Sequence, residues 1–277
     1  MTPTAVDFGP RLIGTPAGAM RSAVVVRPSP RIERAVPLPG EPGAIYARAA
    51  EQHDVLVRTL RYFGVDVSAI ESYGDDPYGS AAAETAVVFE SGAVLMRPSS
   101  MSRRVEVERM AAEFAKIDAP LAGRIAAPGM LDGSDVLLAG TTAFVGVGKR
   151  GNAIGRAGFS EVARAHGYHV VEVALDSDVP ALRSVVSVVG SNVLVLAPEK
   201  VDVTPFKGFR TIALERGEEF GAGVLCIGES HVIADTRFRT ASQRMRRAGI
   251  TVEGIDLYEF EKIGIVPSML VLPLRRD

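Results

Sequence analysis

Short apolar runs alternate with polar turns along the chain, and helical periodicity interrupts them at intervals. The run at 23–27 (AVVVR) lacks polar alternation, which predicts a strand buried on both faces and stopped by Pro28. Pro42-Gly43 opens a helical pattern reaching Phe63, with Ile45, Ala49, Leu56, Leu60 and Phe63 on one face and Gly64 as its stop. A strand at 65–70 follows, then a loop at 71–83 carrying Asp75 and Asp76, then paired strands at 85–89 and 93–97. The stripe Val107, Met110, Phe114 and Ile117 predicts a helix over 103–117, capped by Ser102, with Glu106 complementing its positive end. Two apolar runs, 136–138 and 143–147, lead to a helix at 153–166 that Asn152 can cap. Beyond it come an alternating strand at 168–174, an apolar segment at 179–189 and strands at 192–196 and 211–214. The segment 198–220 is otherwise charged and irregular. A hairpin at 224–227 and 232–234, a basic helix at 236–247, a strand at 251–255, an acidic turn around 258–262 and a last strand near 269–274 complete the pattern.

The pattern repeats. SAVVVRPSPRIER (22–34) and GAVLMRPSSMSRR (92–104) share A-V-x-x-R-P-S and a closing arginine at the same offset, and NVLVLAPEK (192–200) is a weaker echo. Helices fall between pairs of short strands rather than after every strand. Such a rhythm predicts a strand–strand–helix unit used several times around an axis. No linker of domain-separating length occurs, so residues 21–277 read as one domain and 1–20 as an irregular arm, disordered or laid over a site by Leu12 and Ile13.

Composition narrows the function classes. A 47% apolar content supports a large core, and a net charge of −2 with no tryptophan argues against nucleic acid or an anionic membrane as partner. No apolar stretch approaches the ~18 residues of a membrane span, and the first twenty residues do not resemble a signal peptide, so a cytoplasmic setting is expected. The lone Cys226 excludes an intrachain disulfide and fits a reducing compartment. His166 and His169 straddle a glycine turn, a poor metal geometry. Cys226 and His231 could face each other across a hairpin as nucleophile and base, against the commoner reading of Cys226 as a buried inert thiol. No phosphate-binding glycine loop is present, and no cofactor is implied.

The stretch LDGSDVLLAGTTAFVGVGKRGN (131–152) places two carboxylates, Asp132 and Asp135, at one end of a hairpin and Lys149-Arg150 at the other. That arrangement suits a zwitterionic ligand; equally, it describes a hydrated turn and a solvated basic pair.

This stretch resembles the dimethylarginine dimethylaminohydrolase family of the pentein superfamily. The family's L-[DE]-G-G-D-V-L and F-V-G-x-S-K-R-T-N are matched by Leu131-Asp132-Gly133-Ser134-Asp135-Val136-Leu137 and by Phe144 to Asn152. Its T-A-V-V and R-P-G-x-x-S-R-R-x-E-V are matched by Thr85-Ala86-Val87-Val88 and by Arg97 to Val107, and E-[FL]-E-K-V by Glu259 to Ile263. The resemblance runs from about residue 23 to 272. It implies an α/β fold, a five-fold pseudosymmetric propeller of strand-rich repeats around a central polar site.

What it implies about chemistry is divided. The family hydrolyses a C–N bond of arginine derivatives with a cysteine, a histidine and a carboxylate. The histidine of H-L-K-S is replaced by Ala181, and near the cysteine only Ser268 offers a hydroxyl. The family's D-x-x-F-x-E-D becomes Tyr78, Ala81, Ala83 and Glu84. By contrast the resemblance places two carboxylate-binding arginines on Arg103 and Arg150 and the third catalytic group on Asp132. The resulting expectation is Asp132, Ser268 and Glu84 as candidate catalytic groups, and Arg103, Arg150, Asp135 and Leu12 as candidate substrate contacts. The ligand would be a small amino-acid-like molecule in arginine metabolism, bound by a protein that is either a pseudoenzyme, inactive as a thiol hydrolase, or one with altered chemistry. The alternatives are a hydrolase with an unorthodox nucleophile, Ser268 or Cys226, and a non-catalytic structural or regulatory propeller. Self-association into a homo-oligomer is left open.

Overall fold

The computed structural model describes residues 12–277. Its strands form five separate three-stranded sheets, each with an inner strand antiparallel to a middle strand, and a middle strand parallel to an outer one. β1 (Met20–Val26) and β2 (Asp66–Ile70) flank α1 (Tyr46–Tyr62). β3 (Ala86–Val88), β4 (Ala93–Leu95) and β5 (Leu121–Arg124) form the second sheet, with α2 (Arg104–Lys116) before β5. The third is β6 (Val136–Ala139), β7 (Thr142–Val147) and β8 (His169–Ala174), with α3 (Ala153–Ala165). β9 (Val186–Gly190), β10 (Val193–Leu196) and β11 (Arg210–Ala213) make the fourth. β12 (Leu225–Gly228), β13 (His231–Asp235), α4 (Arg239–Arg247) and β14 (Thr251–Ile255) make the fifth. β15 (Val271–Arg276) then pairs with β1 and completes the first sheet.

The echo in the sequence has a structural meaning. AVVVRPS, AVLMRPS and VLVLAP lie on β1, β4 and β10, the middle strand of their sheets. A middle strand is covered on both faces by neighbouring sheets and helices, so it tolerates a continuous apolar run. Inner strands β3, β6, β9, β12 and β15 all contribute to the wall of one axial cavity. Four apolar clusters fill the wedges between adjacent sheets: Phe159 and Phe89 between the second and third, Phe144 and Val195 between the third and fourth.

Several boundaries shift for physical reasons. α1 starts at Tyr46 because Glu259 accepts the Ile45 N–H at 2.7 Å, and Ile45 itself is exposed rather than on the apolar face. α2 starts at Arg104; Ser102 does not cap it, because its hydroxyl donates to Asp76 at 2.6 Å. Ile117 lies past the end of α2 and is exposed. Asn152 does cap α3, accepting the Gly155 N–H at 2.8 Å. β5 has no alternation to read, and its residues are half-buried or exposed. In the fourth unit a 3-10 turn at Thr204–Phe206 stands where other units have a helix, anchored by Phe206 against Phe144 at 4.7 Å between ring centroids.

Phe159 is fully buried on α3, 6.0 Å from the Phe89 ring. Phe159→Ala is predicted to lower unfolding free energy by about 3–5 kcal/mol, measured by urea denaturation, because a large aromatic leaves a cavity its neighbours fill only in part.

Candidate functional site

All five units turn sharply just before their inner strand, and these turns meet at one end of the axis. Glu84 closes the turn Ala82–Glu84 before β3. Asp132 and Asp135 bracket the turn Gly133–Asp135 before β6. Ala181 precedes the short helix Leu182–Val185 leading to β9, and Ser268 sits in the short helix Pro267–Leu270 leading to β15. A Cβ on Gly133 would lie 2.2 Å from the Ala83 carbonyl oxygen, so only glycine lets the second and third turns press together.

The charged side chains here join in one chain of alternating sign. Arg103 is 1% exposed; its Nε and Nη2 donate to Glu106 Oε2 at 2.9 and 2.7 Å, its Nη2 to the Ala81 carbonyl at 3.0 Å, and its Nη1 to Glu84 Oε2. Glu84 Oε1 meets Arg150 Nη1 at 2.7 Å, and Arg150 Nε meets Asp132 Oδ2 at 3.0 Å. Asp132 Oδ1 accepts the Ser99 N–H at 2.7 Å. Arg150 alone in the chain keeps appreciable exposure, 26% of its side chain.

Asp135 lies behind this chain. Its Oδ1 accepts the Leu182 N–H at 2.9 Å, which ties the third unit to the fourth. Burial pushes its carboxyl up to about 7, and the Asp132 charge adds to the rise against that hydrogen bond. Glu106 is likewise raised to about 7, burial outweighing its Arg103 partner.

The expected site residues divide into groups. Glu84, Asp132, Arg103 and Arg150 come together, and Asp135 adjoins them. The expectation that Arg103 offers its guanidinium to a ligand is corrected: it has no accessible face and holds Glu84 and Glu106 in place. Ser268 occupies the adjoining turn, but its Oγ donates to the Arg183 carbonyl at 3.2 Å, with no imidazole or carboxylate hydrogen-bonded to it. Leu12 is corrected outright. Its N–H donates to Glu90 O at 3.0 Å and its carbonyl accepts from Arg276 N at 2.8 Å, past the far ends of β3 and β15. It therefore sits roughly a strand's length, about 15–20 Å, from Glu84. The rest of the arm through residue 11 lies outside the described residues.

Cys226 and His231 do not meet. Cys226 pairs with Val232 and donates its thiol to Gly228 O, burial raising its pKa; His231 bonds Glu253 at 3.0 Å. Among the described residues no group of His, Cys, Asp and Glu is arranged to hold a metal, and no helix is long and apolar enough to cross a membrane. Glu106, read from the sequence only as a dipole partner, proves integral to the site; the signal was its i,i+3 spacing from Arg103.

Comparison with known proteins agrees with this architecture. The chain is 29% identical over 257 residues to the N(G),N(G)-dimethylarginine dimethylaminohydrolase of Streptomyces coelicolor, covering 92% of this chain and 97% of that one. It is 26% identical over 218 residues to the enzyme of the same name from Pseudomonas aeruginosa, covering 79% and 85%. The Pseudomonas aeruginosa protein, solved as a cysteine-to-serine mutant complexed with citrulline, superposes with a TM-score of 0.82 at 23% identity, over 92% of this chain and 99% of that one.

The chain has the pentein fold. SxtG, an amidinotransferase of the saxitoxin pathway from Microseira wollei, shares this fold with a TM-score of 0.82 at 14% identity, over 97% and 98% of the two chains. No family model matches the sequence.

Two measurements test the electrostatics of this site. Arg103→Met leaves Glu84 and Glu106 buried without their shared cation, and should cost about 3–5 kcal/mol in denaturant unfolding at neutral pH. Asp135→Asn probes the raised carboxyl. A folded-state pKa near 7, above the unfolded value, means stability is full below pH 4 and declines as pH rises toward 7. The Asn variant should therefore gain on the wild type by up to about 1.4 kcal/mol per pH unit across that window, and a pH-independent difference would contradict the assignment.

Proposed function

We propose that this dimethylarginine dimethylaminohydrolase-like pentein binds a small carboxylate-bearing molecule of the amino-acid class at Arg150, without thiol hydrolysis. The observation that carries the reading is the state of Arg150. Glu84 and Asp132 hold its guanidinium at 2.7 and 3.0 Å while 26% of the side chain stays open to solvent. A guanidinium fixed in this way is pre-organised for a carboxylate, because the rotamer entropy is already spent on the ion pairs.

Hydrolysis needs a nucleophile with a base beside it. Ser268 is hydrogen-bonded to a backbone carbonyl, and the position the resemblance assigns to the base is Ala181. Cys226 lies on β12 with its thiol directed to backbone carbonyls. Citrulline in the Pseudomonas aeruginosa relative supports an amino acid as the ligand class.

A second reading draws on one specific observation. Arg103, Glu84, Arg150 and Asp132 already satisfy one another, so the chain of charges can serve as a polar core for a purely structural or regulatory propeller.

Calorimetry with arginine, monomethylarginine and citrulline separates the two. The amino-acid reading expects saturable binding that Arg150→Ala abolishes; no heat with any of them favours the structural reading. An assay for citrulline release should show none above the uncatalysed rate. Release that Ser268→Ala removes would overturn the non-hydrolytic reading.

A further inference from the structure

The axial cavity, which Ser268 also lines, holds a charge imbalance that the ion pairs around Arg150 do not use. It has a volume of about 100 Å³, several times the roughly 10–15 Å³ a single water needs. All five inner strands wall it, and two arginines enter it. Arg183, from the short helix before β9, is half-buried and contributes to the cavity wall. Arg276, at the end of β15, is 7% exposed.

Neither guanidinium has a carboxylate partner among the described residues. Arg183 Nη2 donates to the Ser268 carbonyl. Arg276 donates to the carbonyls of Gly18 at 2.9 Å and Cys226 at 2.6 Å. Carbonyls supply hydrogen bonds but no countercharge. The Cys226 thiol supplies none either, since burial raises its pKa. The ion pairs of Glu84 and Asp132 involve Arg103 and Arg150 alone, and neither carboxylate lines this cavity.

The two cations feel each other. Burial, with the neighbouring Arg276 charge, brings Arg183 down to about 10. A buried charge without a partner costs several kcal/mol, and proteins normally meet that cost with an opposite charge. A second observation points into the same space. The Ser187 hydroxyl, on β9, is 3% exposed, lines the cavity and has no hydrogen-bond partner. Two guanidiniums and one free hydroxyl thus line one space whose remaining wall is mostly apolar, including Val136, Leu137 and Leu272.

We propose that this channel is an anion site, in which one small oxyanion is held by Arg183 and Arg276 with Ser187 donating its hydroxyl. The shared chemistry is a compact group with two or more acceptor oxygens, whether a carboxylate or an inorganic phosphate or sulfate. Guanidinium forks bind such groups strongly because their planar donors match the oxygens. The site is independent of the ligand proposed at Arg150. Its occupant would neutralise the axis and, through Arg276 and the Gly18 carbonyl, secure the segment before β1 to the ring.

The test is thermal unfolding and calorimetry of the full chain with phosphate, sulfate or acetate, each against chloride at equal ionic strength. At least one oxyanion should raise the midpoint saturably with one-to-one stoichiometry, and the rank order distinguishes inorganic from carboxylate occupants. Arg183→Met and Arg276→Met should each weaken that binding about 10–100-fold, the effect of losing a charge-assisted hydrogen bond. Ser187→Ala keeps both cations and the cavity, so it tests the same contact if an arginine variant fails to fold; it should weaken binding several-fold. Arg150→Ala should leave this binding unchanged. Equal response to every oxyanion and chloride, or binding undiminished in the Arg183, Arg276 and Ser187 variants, would overturn the proposal.

Discussion

Glu84 is the contact on which this end of the propeller depends. One carboxylate is shared between two guanidiniums, Arg103 from the start of α2 and Arg150 from the loop after β7. Each arginine in turn holds a second carboxylate, Glu106 or Asp132. Removing water from so many charges is expensive, and the arrangement is tenable only because signs alternate and the remaining oxygens accept hydrogen bonds. Ser99 serves Asp132, and Ser134 Oγ reaches Glu84 Oε1 at 3.4 Å. The chain of charges therefore cross-links the second and third units through polar contacts, where the wedges farther out do so by apolar packing.

That constraint reaches back to small residues. Gly133 brings its turn against Ala83, and a Cβ on Gly146 would meet Asp135 Oδ1 at 2.9 Å. Ala81 lends its carbonyl to Arg103. Small residues around 81–83 and 133 leave room for long side chains from other units to converge. The carboxylates are short or firmly seated, and Arg150 spans the gap between the second and third units.

The middle strands were the most legible part of the fold. A continuous apolar run such as AVVV has one stable location, between two covering layers, and the shared A-V-x-x-R-P-S on β1 and β4 exposed the repeat. β5 was not legible, since a half-exposed outer strand of four residues leaves no periodic trace. The fourth unit was only partly so, because Phe206 anchors a 3-10 turn where periodicity looks for a helix. In the site, local sequence identified the charged residues but could not assign their partners. Arg103 and Glu84 meet only because the second unit folds the start of α2 back against the turn before β3, so a side chain read as open to ligand is enclosed. Leu12 failed for a related reason: nothing local says which mouth of the axis a segment covers.

The pairing of β15 with β1 has a consequence for how the molecule comes into being. Met20 faces Arg276 across that ladder, so the inner strand of the first sheet is the last of the described strands to be synthesised. The inner edge of β1 therefore lacks its antiparallel partner until the strands of the other four units have been made. Contacts of such sequence separation carry a large loop-closure cost and slow folding. The ring is thus completed only once the other four units exist, and the first unit, made before them, is among the last to be finished.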